Sequence, residues 1–336
     1  MNLETRLQAF VKLGQELATI TPEQVQELAY RAGNDNPWFD ERNVSSALNG
    51  IIRQLDKEYL QEWLFVYELD KVIPKKVGIM MAGNIPFAGF TDFLCVLITG
   101  HYLHAKLNKE DSFLMQLLAQ KLIQIEPEFA TRIQFVPLLK SVNALIASGN
   151  DNTVRNLEQY FSNKPYIIRK TRTSMGILTG KETTEELKAL GNDIFVYYGL
   201  SSRNVAKVLV PAGYIFNHFF ETNESFNTIL DHHRYQNNYD YNKSLLLVNR
   251  VPHFDNGFLL VTPSEQSISP ISVLFYQEYQ NPDDLNTLIA ANREETHNLV
   301  AADGWYNKSV PFGQAHVPAV WDNTDGVDTI KFLAGL

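Results

Sequence analysis

The sequence predicts an α/β protein with two domains and a helical N-terminal preface. Apolar residues recur at helical spacing through about the first 70 residues. From Val72 onward, short apolar runs alternate with turn residues and helical segments, a pattern typical of a parallel sheet flanked by helices. A chain of 336 residues is also long enough for two domains. We place them at residues 1–198 and 199–336, because the pattern changes near 198–212.

Composition and charge narrow the classes of function. The chain is 45% hydrophobic and 20% charged, and its net charge of −9 argues against nucleic-acid binding. Its one cysteine, Cys95, allows no intramolecular disulfide and no cysteine-based zinc site, so a reducing, cytoplasmic location is expected. The start MNLETRLQAF is not a secretory signal, and the apolar stretch 93–98 is too short to span a bilayer. A small molecule or another protein is the expected partner.

The elements follow in order along the first domain. Helices are predicted over 3–17, 21–32, 44–55 and 57–69. Strands are predicted at 77–82, 102–108, 132–137, 144–149 and 165–170, with helices at 90–98, from Asp111 or Ser112 to 123, and from Asn150 or Asp151 to 161. A strand at 175–180 and a capping box at Thr183–Glu186, opening a helix to 192, complete the domain.

The second domain has a different texture. Strands are predicted after 204 and at 244–249 and 257–262, and a helix over 283–301 that carries His297. We interpret His297 and His316 as structural or solvent-facing. The tail 312–333 is interpreted as a packing segment. His232 and His233 are adjacent and would face different sides of most backbones, so no metal site is predicted.

The loop after the first strand, GNIPFAG at 83–89, is a candidate anion site. At the carboxyl edge of a parallel sheet, its backbone N–H groups and the Asn84 amide suit an anion or a developing oxyanion. A tight turn in which Asn84 bonds its own backbone is the alternative.

Two weaker sites follow at later strands. Lys106 ends a buried strand and could hold a ribose or a phosphate, or simply extend to water. Ser148 and Gly149 precede a helix whose N-terminus could bind phosphate, although the three-glycine fingerprint is missing and an ordinary cap turn is the alternative. The basic group Arg169, Lys170 and Arg172 is either a phosphate site or a solvated strand end.

Six stretches taken together resemble the acyl-CoA reductase family, which includes the fatty-acid reductase of bacterial bioluminescence and belongs to the aldehyde dehydrogenase superfamily. The resemblance covers residues from about 77 to the end and extends to the preface. The stretches are MAGNIPFAGFTDFLCVLITG, HAKLNKED, IASGNDNTVRNLEQYF, GLSSRNVAKVLVP, SPISVLFYQEYQ and FGQAHVPAVWDNTDGVDTIKFL. It implies an aldehyde dehydrogenase-like fold, with a Rossmann-like NAD(P)-binding domain and a second α/β catalytic domain that reduces an acyl thioester to an aldehyde.

The resemblance also assigns roles to the candidate residues. Asn84 matches the oxyanion-stabilising asparagine, in a loop that includes Gly83 and Pro86. Lys106 matches the lysine that reaches the adenosine ribose. Ser148 and Gly149 match the turn before the cofactor-facing helix. The implied cofactor is NADPH, with NADH as the alternative; the implied substrate is acyl-CoA or another acyl thioester, and the implied assembly is a homo-oligomer.

Ser202 stands where the family has its nucleophilic cysteine, directly before Arg-Asn and eight residues before Val210. A serine hydroxyl is a poor nucleophile without an adjacent base, so slow turnover is expected. Cys95 lies in a buried apolar segment and cannot easily replace it. The stretch YIIRKTRTS holds no acid where the aldehyde-oxidising branch has its glutamate, which favours acyl reduction.

Three functions stay open at this stage. The first is an NADPH-linked acyl-CoA reductase with Ser202 at the nucleophile position. The second is a catalytically silent relative that binds nucleotide, acyl-CoA or a protein partner. The third is serine-based acyl transfer or thioester hydrolysis, which would release coenzyme A without consuming NADPH.

Overall fold

The computed structural model describes residues 1–149, 151–322 and 326–336. The chain forms two compact units: Met1–Thr171 together with Pro318–Leu336, and Arg172–Val317. This division lies earlier than the boundary predicted after residue 198. The reason is that the strand after residue 172 pairs within the sheet of the second unit. The split into a cofactor-binding domain over 1–198 and a catalytic domain over 199–336 stays a prediction.

The first unit begins with four helices, as predicted for the preface. They are α1 (Leu3–Leu17), α2 (Pro22–Gly33), α3 (Glu41–Gln54) and α4 (Lys57–Leu64). Each follows a side chain that accepts a hydrogen bond from a backbone N–H of the first turn; these caps are Asn2, Thr21, Asp40 and Asp56. The fourth helix ends at Leu64, not near residue 69, and a short 3₁₀ turn follows at Leu69–Lys71.

A parallel sheet of five strands follows, as predicted. Its elements are β1 (Lys76–Met80), α5 (Phe90–Ile98), β2 (Tyr102–Lys106), α6 (Ser112–Ile125), β3 (Ile133–Phe135), β4 (Ala144–Gly149), α7 (Asp151–Phe161) and β5 (Tyr166–Lys170). The strand order is β3-β2-β1-β4-β5, and every pairing is parallel. The chain therefore builds outward from β1 on one side and then starts again with β4 on the other. The order reverses between β1 and β4.

The second unit contains a seven-stranded sheet of order β12-β11-β6-β7-β10-β9-β8, in which only the β8 pairing is antiparallel. Its strands are β6 (Thr173–Ile177), β7 (Val205–Pro211), β8 (Phe254–Asp255), β9 (Leu260–Pro263), β10 (Val273–Tyr279), β11 (Thr296–Ala301) and β12 (Ser309–Pro311). Its helices are α8 (Thr184–Phe195), α9 (Asn217–Asn223), α10 (His233–Val248) and α11 (Pro282–Ala291). The predicted capping box is confirmed, since Thr183 and Glu186 exchange both of its hydrogen bonds.

The C-terminal tail returns to the first unit and ends in α12 (Thr329–Ala334). The carbonyl of Leu333 lies 2.9 Å from Nε2 of buried His101. The Tyr67 hydroxyl donates to Asp328 at 3.0 Å. The interpretation of this tail as a packing segment is confirmed for Ile330 and Leu333, which are buried, whereas Trp321 and Val327 are exposed.

Two predictions for the second domain were wrong. Residues 244–249 are not a strand: they lie at the end of α10, because the polar residues before them continue the same helix. The helix predicted over 283–301 ends at Ala291, and His297 lies on β11, whose backbone is paired on both sides by β6 and β12. Within the described residues, no helix is both long and apolar enough to cross a bilayer.

Candidate functional site

The candidate residues of the first unit lie at the carboxyl ends of three adjacent strands. In the sheet register, Met80 at the end of β1 pairs with Lys106 on one side and Ala147 on the other. Lys106 is the last residue of β2, and Ser148 and Gly149 end β4. In open parallel sheets, the crevice outside the point where the strand order reverses is the usual ligand site. The fold therefore brings these residues and the loop after β1 to one edge.

In the loop after β1, Gly83 and Pro86 form a buried frame, whereas Asn84 is exposed. Gly83 is buried, and its carbonyl accepts a hydrogen bond from Asn36 at 3.0 Å. A Cβ at Gly83 would lie 2.6 Å from Cγ of Asn108, so a larger residue would displace that side chain. Pro86 is buried as well, whereas Asn84 is exposed.

A buried carboxyl group contacts the last part of this loop. Asp111 accepts a hydrogen bond from the backbone N–H of Ala88 at 3.2 Å. Burial raises the pKa of Asp111 well above its ordinary value. Asp111 precedes α6, as predicted, but its side chain makes no hydrogen bond to the helix and contacts the loop instead.

Gly149 allows α7 to start close to β4. A Cβ at Gly149 would lie 2.7 Å from Cγ2 of Thr153, in the first turn of that helix. Ser148, directly before the helix, is exposed, and Lys106 at the end of β2 is half-buried. The helix cap predicted at Asn150 lies outside the described residues.

The predicted basic group is divided between different surroundings. Arg169 is buried, and its guanidinium donates to the Asp92 carboxylate at 2.9 Å and to the Thr329 hydroxyl at 3.0 Å. These contacts tie β5 to α5 and α12. Arg169 is therefore neither a solvated strand end nor a phosphate-binding residue, because it is buried and its guanidinium is already paired with Asp92 and Thr329. Lys170 beside it is exposed.

In the second unit, the two serines of the GLSSRN turn differ in role. Ser201 is buried; its N–H donates to Oδ1 of Asn204 at 2.8 Å, and its hydroxyl accepts from the N–H of Arg203 at 3.2 Å. Ser202 is exposed at the tip of the turn, where no described residue hydrogen-bonds its hydroxyl. Ser201 therefore shapes the turn, and Ser202 is exposed at its tip.

Asn204 anchors the turn to the end of α8. Its amide nitrogen lies 3.1 Å from the carbonyl of Asp193, 3.0 Å from that of Ile194 and 2.7 Å from that of Val196. These carbonyls have no further helical partner, so the asparagine satisfies the C-terminus of the helix. The sequence singled out this motif for Ser202 and missed the role of Asn204.

The backbone that leads into the turn is strained. Tyr197 and Tyr198 have φ values of 54° and 57°, and Gly199 follows at 79°. Left-handed backbone is unfavourable for bulky residues and persists only where packing enforces it. The Tyr197 ring packs against His316 with centroids 5.5 Å apart, and the Tyr198 ring packs against His232 at 4.4 Å. Both tyrosines are buried.

A second segment of the chain, 312–316, is fixed against the same helix end. The buried carboxylate of Asp193 accepts from the N–H of Gly313 at 2.6 Å and from that of Ala315 at 3.1 Å. Burial raises the pKa of Asp193 to about 7. His316 Nε2 lies 3.3 Å from the Asn204 amide nitrogen, and burial lowers the pKa of His316 to about 4. No local sequence pattern indicates this role of Asp193, whose partners lie more than a hundred residues away.

A small cavity of about 20 Å³ lies beside the turn. Tyr198, Gly199 and Asn204 line one part of it, and residues 269–273 line another. A space of this size holds about one water molecule. It offers no room for an acyl chain.

The other reactive groups are engaged in packing. Cys95 is buried in α5, and burial together with nearby Asp92 raises the pKa of its thiol, which confirms its interpretation as a core residue. His232 stacks on Tyr198. In the described part of the chain, no three His, Cys, Asp or Glu side chains group as metal ligands.

No protein-family model matches the chain, and no curated protein matches its sequence. Solved structures of aldehyde dehydrogenases do share its fold. Aldehyde dehydrogenase 21 from Physcomitrella patens, in complex with the reaction product succinate, is 12% identical with a TM-score of 0.71, covering 100% of this chain and 84% of that one. An NAD-dependent aldehyde dehydrogenase from Sinorhizobium meliloti is 11% identical with a TM-score of 0.68, covering 94% and 72%.

A third structure, a Mycobacterium tuberculosis aldehyde dehydrogenase complexed with NAD⁺, is 12% identical with a TM-score of 0.65, covering 90% of this chain and 73% of that one. Identities this low establish the fold alone. The predicted aldehyde dehydrogenase-like α/β fold, with a parallel sheet, a second sheet and an N-terminal helical region, is confirmed.

Proposed function

We propose that this protein is an acyl-CoA reductase-like protein that reduces an acyl thioester to an aldehyde with NADPH. The observation that carries the proposal is the arrangement of Gly83, Lys106 and Gly149 at the carboxyl ends of β1, β2 and β4, where the strand order reverses. The likeness to aldehyde dehydrogenase structures, one of them complexed with NAD⁺, supports it. A cytoplasmic location and a homo-oligomeric assembly belong to the same proposal.

The residues at this edge fit a nicotinamide dinucleotide. Gly83 and Pro86 form the buried frame of the loop, and Lys106 brings an accessible cation to a ribose or phosphate. Ser148 and Gly149 lead directly into the start of α7, where backbone N–H groups favour a phosphate. When bound, the cofactor supplies the hydride that converts the acyl group into an aldehyde. NADPH is the proposed form, and NADH is the alternative.

In the proposed reaction, Ser202 Oγ attacks the thioester carbonyl and loses its proton, and coenzyme A leaves as a thiol after taking up a proton. The family resemblance implies an oxyanion-stabilising role for Asn84, which stays a prediction. Hydride supplied by a bound nicotinamide cofactor would convert the acyl group into the aldehyde and return the serine hydroxyl. The sum consumes one NADPH and one proton for each thioester. Because the Ser202 hydroxyl has no base among the described residues, we expect this serine to turn over slowly.

Two other functions are compatible with the same fold. The first is a catalytically silent protein that binds nucleotide, acyl-CoA or a protein partner, which the absence of a described base at Ser202 favours. The second is serine-based acyl transfer or thioester hydrolysis. It predicts release of coenzyme A without consumption of NADPH.

Intact-protein mass spectrometry separates these functions. The natural protein, Ser202→Cys and Ser202→Ala are incubated with a mixture of acyl-CoAs and then with NADPH. An acyl adduct on the natural protein that NADPH discharges, absent from Ser202→Ala, supports the reductase. Labelling and discharge of Ser202→Cys alone mean that the scaffold has lost its nucleophile and acts by binding. An adduct that water discharges without NADPH indicates hydrolysis, and labelling of none of the three proteins contradicts an acyl site at residue 202.

The cofactor site is tested by titrating NADPH and NADH against variants and following cofactor fluorescence. Lys106→Ala is expected to weaken binding by about tenfold, because it removes one cation from a phosphate or ribose contact. Lys76→Ala is the matched control, since Lys76 lies at the opposite end of β1 and is exposed. Equal effects of the two substitutions, or no binding to the natural protein, would contradict the proposed site.

A further inference from the structure

We propose that Asp193 is the positioning residue of the Ser202 turn, acting through the segment 312–316. The inference rests on the proposed function in one respect only: Ser202 is taken as the reacting position. Asp193 itself touches neither the turn tip nor any site assigned to substrate. Its contacts with Gly313 and Ala315 form the first step of the connection, and the contacts of that segment with Arg203 and Asn204 form the second.

The first step is a carboxylate that holds two backbone groups. One oxygen of Asp193 accepts from the Gly313 N–H at 2.6 Å, and the other accepts from the Ala315 N–H at 3.1 Å. Asp193 is fully buried, so water cannot replace these contacts. Hydrogen bonds to an ionised acceptor are stronger than neutral ones, and they fix the direction of both donors. The segment is therefore held at two points by one side chain.

In the second step, the segment 312–316 contacts the two residues that follow Ser202, Arg203 and Asn204. Arg203 donates to the Ala315 carbonyl at 3.4 Å, so Ala315 is held by Asp193 at its N–H and contacted by the turn at its carbonyl. Asn204 contacts Nε2 of His316 at 3.3 Å. Asn204 also receives the N–H of Ser201, the residue before the tip. Every neighbour of Ser202 in the turn is thus linked to the helix end or to the segment.

The Ser202 hydroxyl has no hydrogen-bond partner of its own among the described residues, so its place depends on these neighbours. A reacting atom displaced by about 1 Å costs about a hundredfold in rate. A side chain that fixes Ala315 and His316 from behind consequently affects the geometry at residue 202. The effect does not require contact between Asp193 and a substrate.

Protonation of Asp193 provides a way to vary the connection without mutation. The ionised carboxylate offers two acceptor oxygens to the two N–H groups, whereas the protonated form puts a hydrogen on one of them. The titratable and charged groups facing this region are His316, Arg203 and, on β11, His297. Burial keeps the pKa of His316 near 4, so His316 stays neutral while Asp193 titrates around neutral pH. Because burial raises the pKa of Asp193 in the folded protein above its value in an opened segment, ionisation disfavours the closed form, and both segments are expected to loosen together as the pH rises towards about 7.

Hydrogen exchange measured by mass spectrometry tests this connection directly. In the natural protein, peptides covering 200–204 and 312–316 are followed from about pH 5 to about pH 9, with correction for intrinsic exchange. Both are expected to lose protection in parallel as the pH rises to about 7, because the folded form binds the Asp193 proton more tightly than the opened form does. Asp193→Asn is expected to remove the pH dependence and to lower protection by about tenfold or more in both peptides.

Glu182→Gln is the matched control, since Glu182 is also a buried carboxylate that accepts two backbone N–H groups, from Thr179 and Gly180. It is expected to leave the 200–204 peptide unchanged. Loss of protection in 312–316 alone, with 200–204 unaffected, would overturn the inference. So would a natural protein in which only one of the two peptides responds to pH, a result that needs no variant to fold.

A chemical readout separates this inference from the proposed function. In the Ser202→Cys background, the rate of reaction with a small neutral aromatic disulfide is measured against pH, with and without Asp193→Asn. An inflection near pH 7 that Asp193→Asn abolishes and Glu182→Gln retains supports positioning, whether or not the protein accepts acyl-CoA. Identical pH profiles with and without Asp193→Asn overturn it.

Discussion

Lys207 on β7 is fully buried, and its ammonium group donates to the Glu265 carbonyl at 2.9 Å and to Oδ1 of Asn292 at 3.1 Å. The Ser267 hydroxyl donates to the same Asn292 oxygen at 2.7 Å. One cation therefore joins a strand to two other parts of the second unit. The cost of this arrangement is desolvation, which lowers the pKa of Lys207 to about 8.

This desolvation predicts how stability depends on pH. Between about pH 8 and the ordinary lysine value of 10.5, the unfolded chain binds more protons at this position than the folded chain does. The contribution of Lys207 to the free energy of unfolding therefore rises with pH across that window, by about 2 to 3 kcal/mol. Lys207→Met removes the group, so the natural protein should gain this amount relative to the variant. Denaturant unfolding from about pH 7 to about pH 11 measures it.

Lys57→Met on exposed α4 is the control, and it should follow the natural protein across the same pH range. An equal rise with pH in natural protein and Lys207→Met would contradict the assignment of this linkage to the buried lysine.

Cys95 is predicted to be inert in the folded protein. It is buried in α5, and burial raises the pKa of its thiol, so neither access nor thiolate is available. An aromatic disulfide reagent should register no thiol in native buffer and one thiol per chain after unfolding in guanidinium. Ser202→Cys, with its exposed position, should add one thiol that reacts before unfolding. A natural protein that reacts at the rate of free cysteine would show this prediction to be wrong.

At the residue scale, the sequence indicates residues that stand out within a short motif, but it does not indicate residues whose role depends on partners distant in the chain. Ser202, Asn84 and Lys106 were singled out because their types and positions are unusual within short motifs. Asp193 stands within an unremarkable helical stretch, and its partners Gly313 and Ala315 follow about 120 residues later. Nothing in the local sequence around Asp193 indicates that contact. The catalytic and cofactor roles of the candidate residues stay predictions.

Among the helices, two interior glycines look alike in sequence but differ in surroundings. A Cβ at Gly14 of α1 would lie 2.7 Å from Cβ of Leu55, whereas a Cβ at Gly50 of α3 would meet nothing within 4 Å. Gly14→Ala is therefore expected to lower the free energy of unfolding by about 1 to 3 kcal/mol through overpacking. Gly50→Ala should raise it by about 0.5 to 1 kcal/mol, because alanine is the better helix former.

Denaturant unfolding of the natural protein and of both variants compares these effects, each variant acting as the control for the other. Stabilisation by both substitutions would contradict the close approach of α1 to Leu55.

The accuracy of the predicted elements depends on whether short-range signals decide them. The capping box at Thr183 and the helices of the preface were predicted, because their caps lie within a few residues. Residues 244–249 were read as a strand since a short apolar run fits a strand or a helix equally well. The end of α11 was missed because no Gly or Pro follows Ala291 within the next several residues, and pairing with β6 decides where β11 begins.

Across the whole molecule, the first unit is built from both ends of the chain and the second from the middle. Among the described residues, hydrogen-bond contacts fasten the returning tail at three places: Tyr67 with Asp328, Arg169 with Thr329, and His101 with Leu333. Because a buried arginine and a buried histidine lose a partner when the tail is absent, the first unit should depend on these last residues for stability.

Removal of residues 328–336 tests this dependence. Hydrogen exchange should lose protection in α5 and β5, whereas β7 and β10 of the second unit should keep theirs. Removal of Leu336 alone, which keeps the three contacts, is the control. Retained protection of α5 and β5 in the longer truncation would contradict the expected role of the tail.

At this scale the fold class was predictable from the sequence, because the alternation of strands and helices repeats along the whole chain. The predicted boundary after residue 198 followed a change in local texture, whereas the compact units follow the pairing of β6 with β7 and β11. Pairing between segments distant in sequence leaves little trace in local composition.

The return of the tail also sets an order of events during synthesis. The segment Arg172–Val317 is made as one continuous piece before residues 318–336, so the second unit has its whole sequence before the first unit does. The sheet of the first unit is made earlier, but its contacts with α12 form only after the second unit has been made. During that interval the binding sites for Thr329 and Leu333 stand open on a nascent chain. The first unit, whose synthesis begins earlier, therefore receives its packing contacts with α12 only after the second unit has been made.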